Sequence, residues 1–172
     1  MTRIHASGYR IGAPTTTADG KRGTVSALVV DPQTRSVTHL AVNPSHQRHR
    51  ARLVPIAMVS AEPTGEVMLA YSDEQLRHLD QLDELDVIEI GARPYGTGDW
   101  DNSTNPIEHL FVWTDRPPDG EASLRLGTRV RVGDETVGHV DGLIAGFDDH
   151  ITAVLVATGH LWSHRTIAVP VD

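Results

Sequence analysis

The chain alternates short runs of apolar and β-branched residues with turn-forming clusters, a spacing that predicts strands over its first third. Arg10-Ile11-Gly12-Ala13-Pro14-Thr15-Thr16-Thr17 reads as an opening strand. Ala18-Asp19-Gly20-Lys21 reads as a turn, because Asp-Gly supplies a positive-φ position at little cost. Residues 23–30, Gly-Thr-Val-Ser-Ala-Leu-Val-Val, follow as a strand rich in β-branched side chains, and Asp31-Pro32-Gln33-Thr34 stops it. Residues 37–42 then run to the Asn43-Pro44 turn. Leu53-Val54-Pro55-Ile56 and residues 66–71 complete a set of about five strands. Such a sheet must curl or close to hide its apolar face and its edges.

The same punctuation recurs in the second half. Residues 23–29 lie on residues 138–144, and after a one-residue gap residues 37–42 lie on residues 151–156. His49-Arg50-Ala51-Arg52-Leu53-Val54-Pro55-Ile56 echoes the end of the stretch from Gly159 to Val171, where His-Arg and an apolar-Val-Pro-apolar ending return. Turn, strand, turn, strand, hairpin and strand repeat in one order, which predicts two copies of a single β unit. Between them the pattern changes. Ser72-Asp73-Glu74-Gln75 has the capping-box form, and Leu76, Leu79, Leu82 and Leu85 follow at three-residue intervals. The spacing predicts a short helix over 73–81, with its leucines on the barrel and its acids in water. Asp80, Asp83 and Asp86 fit that wet side and the helix exit. Asp86-Val87-Ile88-Glu89-Ile90-Gly91 reads as a strand, residues 92–105 as a linker or long loop, and residues 107–114 as one further strand added to either copy.

These residues resemble the PRC-barrel family, the small β-barrel of the photosynthetic reaction-centre H subunit and of the C-terminal domain of a ribosome maturation factor. The resemblance rests on Ile11-Gly12-Ala13-Pro14, residues 23–32 and 37–42, and Leu53-Val54-Pro55-Ile56. In the second copy it rests on Leu126-Gly127-Thr128-Arg129-Val130, residues 138–143 and Gly159-His160-Leu161-Trp162. It covers most of the chain outside residues 73–121 and is closest to bacterial proteins with two such copies. The expected fold is mainly β, with two small PRC-type β-barrels as an internal repeat and one short helix between them. The expected division is a first barrel with its trailing helix over 1–90, a linker or long loop with an extra strand over 91–121, and a second barrel over 122–172. The resemblance also implies a docking or assembly platform and no enzymatic activity. One departure separates the copies: where the second has Gly-His-Leu-Trp, the first has Pro44-Ser45-His46-Gln47-Arg48.

Composition narrows the chemistry. A chain of 172 residues can bury roughly two-thirds of its unfolded surface without staples. The absence of cysteine excludes disulfides, thiolate ligands and a thiol nucleophile. Met1 to Arg10 lacks the apolar core of a signal peptide, and no apolar run approaches the roughly 20 residues that span a bilayer. The expectation is a soluble, cytoplasmic protein without membrane insertion. The net charge of −8 is uneven: residues 1–72 carry 8 basic and 4 acidic residues, 73–121 carry 3 and 13, and 122–172 carry 4 and 6. A basic first unit and an acidic middle suit contact between two copies, a homodimer, and the overall charge disfavours nucleic acid as a partner.

Four clusters carry candidate chemistry. His160, Leu161 and Trp162 form the part of the second hairpin without an echo, and Leu161 with Trp162 suits an aromatic anchor for a protein partner. Arg48 and Arg50 alternate with Arg52 on an extended arm and suit an anion or RNA backbone; Arg52 aligns with Ile167, so its side is expected to face the barrel. His46 with His49, and His160 with His164, offer imidazoles for Zn²⁺ or Cu²⁺, but an i, i+3 spacing needs a turn to converge and neither cysteine nor carboxylate completes a set. Residues 99–105 alternate oxygen side chains like a calcium loop, without its glycine or its final acid. With no nucleophile elbow, phosphate loop or paired-carboxylate framework, neither catalysis nor a cofactor is expected. The preferred reading is a non-catalytic protein-binding or assembly module. The alternatives are a small-ligand or metal sensor using the hairpin histidines, and an RNA-associated factor using the basic hairpin.

Overall fold

The computed structural model describes residues 7–44, 50–90, 108–146, 148–159 and 165–171. It is mainly β, with curled half-barrel sheets and one short helix. The strands run β1 Ser7–Arg10, β2 Pro14–Thr16, β3 Arg22–Asp31, β4 Ser36–Pro44 and β5 Arg52–Pro55. A 3-10 turn, Ile56–Met58, leads to β6 Val59–Ala61 and β7 Val67–Leu69. After helix α1 Asp73–Arg77 come β8 Asp83–Ile90, β9 Glu108–Asp115, β10 Ala122–Arg125, β11 Arg129–Val132, β12 Glu135–Ala145, β13 Ile151–Thr158 and β14 Arg165–Pro170.

One sheet has the order β5-β4-β3-β2-β7-β6 and another β1-β12-β13-β14, each built on a long bent strand, β3 or β12. The free edge of each long strand serves two short strands in succession. β3 pairs with β2 near its start and with β10 near its end. β12 pairs with β11 near its start and with β1 near its end. A register shift between Val25 and Ala27 in one, and between Val140 and Gly142 in the other, separates the two stations, as a bulge bends a strand away from a continuing partner. The first strand of the chain therefore lies on the late strand β12, and β10 lies on the early strand β3.

The exchange is reciprocal in register. Tyr9 faces Leu143 and Arg10 faces Gly142, while Leu124 faces Leu28 and Arg125 faces Ala27. Adding 115 to each paired residue, 7–10 in β1 and 27–30 in β3, gives its counterpart in β10 and β12. The crossing from the foreign strand to the home strand uses Gly12 (φ 87°) and Gly127 (φ 88°), a conformation that a Cβ resists. Where the halves meet again, the Val37 N–H donates to the Asp149 carbonyl (3.0 Å) and the Ile151 N–H donates to the Arg35 carbonyl (2.8 Å). Arg35 and Asp149 both take positive φ there, and Ser36 bridges His150 between them.

The core follows from this pairing. Buried Leu28, Leu40, Val42, Val54 and Leu76 belong to one continuous cluster with Tyr9, Val140, Leu143 and Ile151. Both halves of the chain thus contribute to this cluster, where each fully buried Leu or Val is worth about 1.5–3 kcal/mol, and a second, smaller cluster joins Ala27, Val29, Ala41, Ala51, Leu53 and Leu82. Helix α1 has the expected capping box: the Gln75 N–H donates to Ser72 Oγ and the Ser72 N–H to Gln75 Oε1. It ends at Arg77, shorter than the leucine spacing suggests, because Leu76, Leu79 and Leu82 reach the core through a turn and an isolated bridge between Gln81 and Arg52. Leu85 does not follow them. It lies exposed on β8, which starts three residues earlier than the sequence pattern suggests. Residues 108–115 likewise join neither large sheet but pair with β8 alone.

Close approach of the exchanged strand is most demanding at Gly142, where a Cβ would sit 2.3 Å from the Tyr9 carbonyl oxygen and 3.0 Å from the Arg10 Cα. The counterpart position, Ala27, carries a Cβ. Gly142→Ala is expected to cost about 1–3 kcal/mol in urea unfolding. It should also speed amide exchange at Tyr9 and Arg10 more than elsewhere, whereas Ala27→Gly should leave β1 exchange unchanged.

Candidate binding surface at the foot of the ribbon

Strands β8 and β9 form a separate two-stranded antiparallel ribbon, pairing Asp83 with Asp115 through to Ile90 with Glu108. Period-two alternation divides its faces. One carries Asp83, Leu85 and Val87 opposite Asp115, Trp113 and Phe111, and the other carries Glu84 and Asp86 opposite Thr114 and Val112. The first face begins with two carboxylates directly opposed, a destabilising cross-strand pair unless a cation lies between them.

Arg125 of β10 is that cation. Its Nε donates to both oxygens of Asp115 at 2.7 and 2.8 Å, and its Nη2 donates to Asp83 Oδ1 and lies 2.6 Å from Asp115 Oδ1. Asp83 is buried, and its second oxygen accepts the Ala51 N–H at 2.9 Å. Ser123 donates its hydroxyl to Asp115 (2.7 Å). The ribbon is fastened a second time on its other face, where Arg116 bridges Glu84 and Asp86. The start of β10 is held by Glu121, which accepts the Thr38 hydroxyl at 2.6 Å and lies 3.4 Å from the His39 ring. Asp83 is thus no member of a wet helical side; it is a buried anchor, because the helix ends before it and strand alternation turns it inward.

Beyond the anchor the same ribbon face is apolar and open. Phe111 is 63 % exposed, Val87 52 % and Trp113 44 %. With Leu85 on this face and Leu110 on the opposite one, they supply five of the nine exposed large hydrophobic residues among the described residues. At the foot of this face lies a cleft of about 420 Å³ lined by Leu85 and Trp113 on the ribbon, and by Arg50 and Arg52 at β5. Arg50 is exposed, in keeping with a projecting arm. Arg52 is half-buried yet opens to the same cleft, with its Nη1 donating to the Leu79 carbonyl at 2.8 Å. Burial lowers the Arg52 pKa and the nearby Arg50 charge lowers it further, against the raising effect of Asp80.

Of the candidate residues in the two hairpins, Arg50 and its neighbour Arg52 fall among those described. Arg48, His46 and His49 of the first hairpin lie outside the described residues, as do His160, Leu161, Trp162 and His164 of the second, and the oxygen-rich stretch 99–105. Among the described residues no group of three or more His, Asp or Glu side chains is placed to hold a metal ion. Sequence reasoning did not single out Arg125, Asp115 or Trp113. A usable signal existed for the first: Arg125-Leu126-Gly127 repeats Arg10-Ile11-Gly12 at the 115-residue offset, which marks Arg125 as the end of an exchanged strand. Compared with known proteins, the chain matches no protein-family model, no curated protein and no solved structure.

The anchor sets a pH dependence. Burial raises the Asp115 pKa, but hydrogen bonds from Arg125 and Ser123 and the Arg125 charge outweigh it and hold the group below the ordinary aspartate value. A carboxylate depressed in the folded state contributes stability that is present above its unfolded-state pKa and lost as pH falls through the folded value. Asp115→Asn should therefore be less stable at neutral pH and show a flatter loss of stability below about pH 4. Arg125→Ala should cost about 3 kcal/mol, the low end for breaking a buried pair because a third of the Arg125 side chain is solvated. Denaturant titrations across pH test both.

Proposed function

We propose that the protein is a non-catalytic protein-binding or assembly module of the PRC-barrel type, built from two barrel-like units as an internal repeat and working in the cytoplasm. Its partner is another protein or a second copy of itself. The observation that carries this reading is the open apolar face of the ribbon. An isolated two-stranded ribbon is marginal in water, and side chains such as Phe111 and Val87 find no cover among the described residues. The reciprocal registers of β1 on β12 and β10 on β3 support the repeat, since one offset relates them. Among the described residues no helix is long and apolar enough to cross a membrane.

Docking on this face is rigid where it matters. The anchor at Asp83, Asp115 and Arg125 fixes the ribbon's foot, so a partner meets preorganised side chains instead of ordering a loose hairpin. Val87→Ser with Phe111→Ser removes the centre of the face and leaves the anchor and Trp113 intact. The full chain, cross-linked in cells and purified, should recover a defined partner chain, and the double variant should recover at least about tenfold less, the loss expected when a buried aromatic anchor is removed. An unchanged melting temperature in the variant keeps the comparison valid. Equal recovery from both proteins, or a wild-type chain that recovers nothing and sediments as a monomer, overturns the reading.

A further inference from the structure

We infer that the cleft between Arg50, Arg52 and the Trp113 indole binds a small organic anion, one oxyanion group on a flat apolar body. Its volume of about 420 Å³ falls within the range of small-ligand pockets and suits a molecule of one or two rings. Two kinds of wall meet in it. Leu85 and Trp113 offer an apolar edge and an aromatic surface, and Arg50 and Arg52, two residues apart at the start of β5, offer two forked donors on one side.

The charge balance of the walls favours an anion. Asp83 and Glu84 also line the cleft, but both are already occupied: Asp83 accepts from Arg125 and the Ala51 N–H, and Glu84 accepts from Arg116. Neither Arg50 nor Arg52 has a carboxylate within 4 Å among the described residues. The two guanidinium groups thus repel each other with the repulsion offset only in part by Asp80, and one of them is held in place by the Leu79 carbonyl. An oxyanion between them relieves that repulsion and gains charge-assisted hydrogen bonds, while an attached ring lies against the indole.

Size and sign select against a polyanion. Asp80 beside Arg52, and Asp83 and Glu84 in the cleft wall, would repel an extended phosphate backbone along its length, whereas a compact anion seats its one charged group between the two arginines. The site is separate from the centre of the ribbon's apolar face, and its occupancy does not depend on a protein partner.

The test is a titration of the full chain with benzoate, phenyl phosphate and inorganic phosphate, each to about 10 mM, read at the Trp113 indole N–H cross-peak, assigned with Trp113→Phe. Saturable shifts are expected with benzoate or phenyl phosphate, and the stronger of the two identifies the oxyanion as carboxylate or phosphate. Inorganic phosphate, lacking the ring, should bind more weakly. Arg50→Ser, a change at an exposed side chain, should weaken the aromatic probe about tenfold with an unchanged circular dichroism spectrum, the loss of one charge-assisted hydrogen bond. Absence of a saturable Trp113 shift with either aromatic probe, or equal affinity in Arg50→Ser, overturns the inference. So does retention of an oligonucleotide in preference to both probes.

Discussion

The reciprocal exchange of β1 and β10 is the constraint on which the other features rest. Backbone hydrogen-bonding groups inside a curled sheet must be paired, and each long strand here finds its last partner in the opposite half of the chain. Neither half closes its own edge. The consequence is one apolar cluster shared by residues as far apart as Tyr9 and Ile151, and a junction at Arg35 and Asp149 where each half donates and accepts in the same way. Closing contacts of such long range costs loop entropy before it returns stability, so β1 and β10 are held by register and packing together, not by local turns.

That exchange also delivers Arg125 to its place. Because β10 leaves its own half to lie on β3, its last residue arrives opposite Ala27 and reaches the foot of the ribbon, where Asp83 and Asp115 stand opposed to each other. The counterpart residue, Arg10, lies near solvent, 3.6 Å from Asp141. The same structural position thus gives a buried anchor in one half and a surface contact in the other. The difference lies in what was inserted between the halves: only the β10 side has a ribbon for its arginine to clamp.

Much of the strand pattern was legible because alternation and turn residues act locally. Gly12 and Gly127, the Asp31 turn and the Ser72 capping box each mark their elements through backbone chemistry that needs no distant partner. What the pattern did not reveal were the destinations. A run such as Ser7–Arg10 has the same composition whether it pairs with β3 or with β12, since side-chain period carries no information about which edge accepts the strand. Asp83 was misplaced for a related reason. Three-residue leucine spacing from Leu76 to Leu85 continues a helical rhythm, but the chain passes from helix to turn to strand while keeping it, and only tertiary burial separates Leu82 in the core from Leu85 in the open.

The acidic middle of the chain takes on a different meaning once its partners are known. Thirteen acids against three basic residues over 73–121 suggest a broad negative surface. Yet Asp73 is paired with Arg77, Glu84 and Asp86 with Arg116, and Asp83 and Asp115 with Arg125, which comes from outside that segment. Four of the thirteen acids therefore fasten the ribbon, and their charge acts over short range within a screened environment. What the segment presents outward at the ribbon's first face is an apolar stripe ending at two arginines. A contact surface of that kind selects partners by shape and by a single well-placed negative charge, not by bulk attraction, and its strength should depend only weakly on ionic strength away from the cleft.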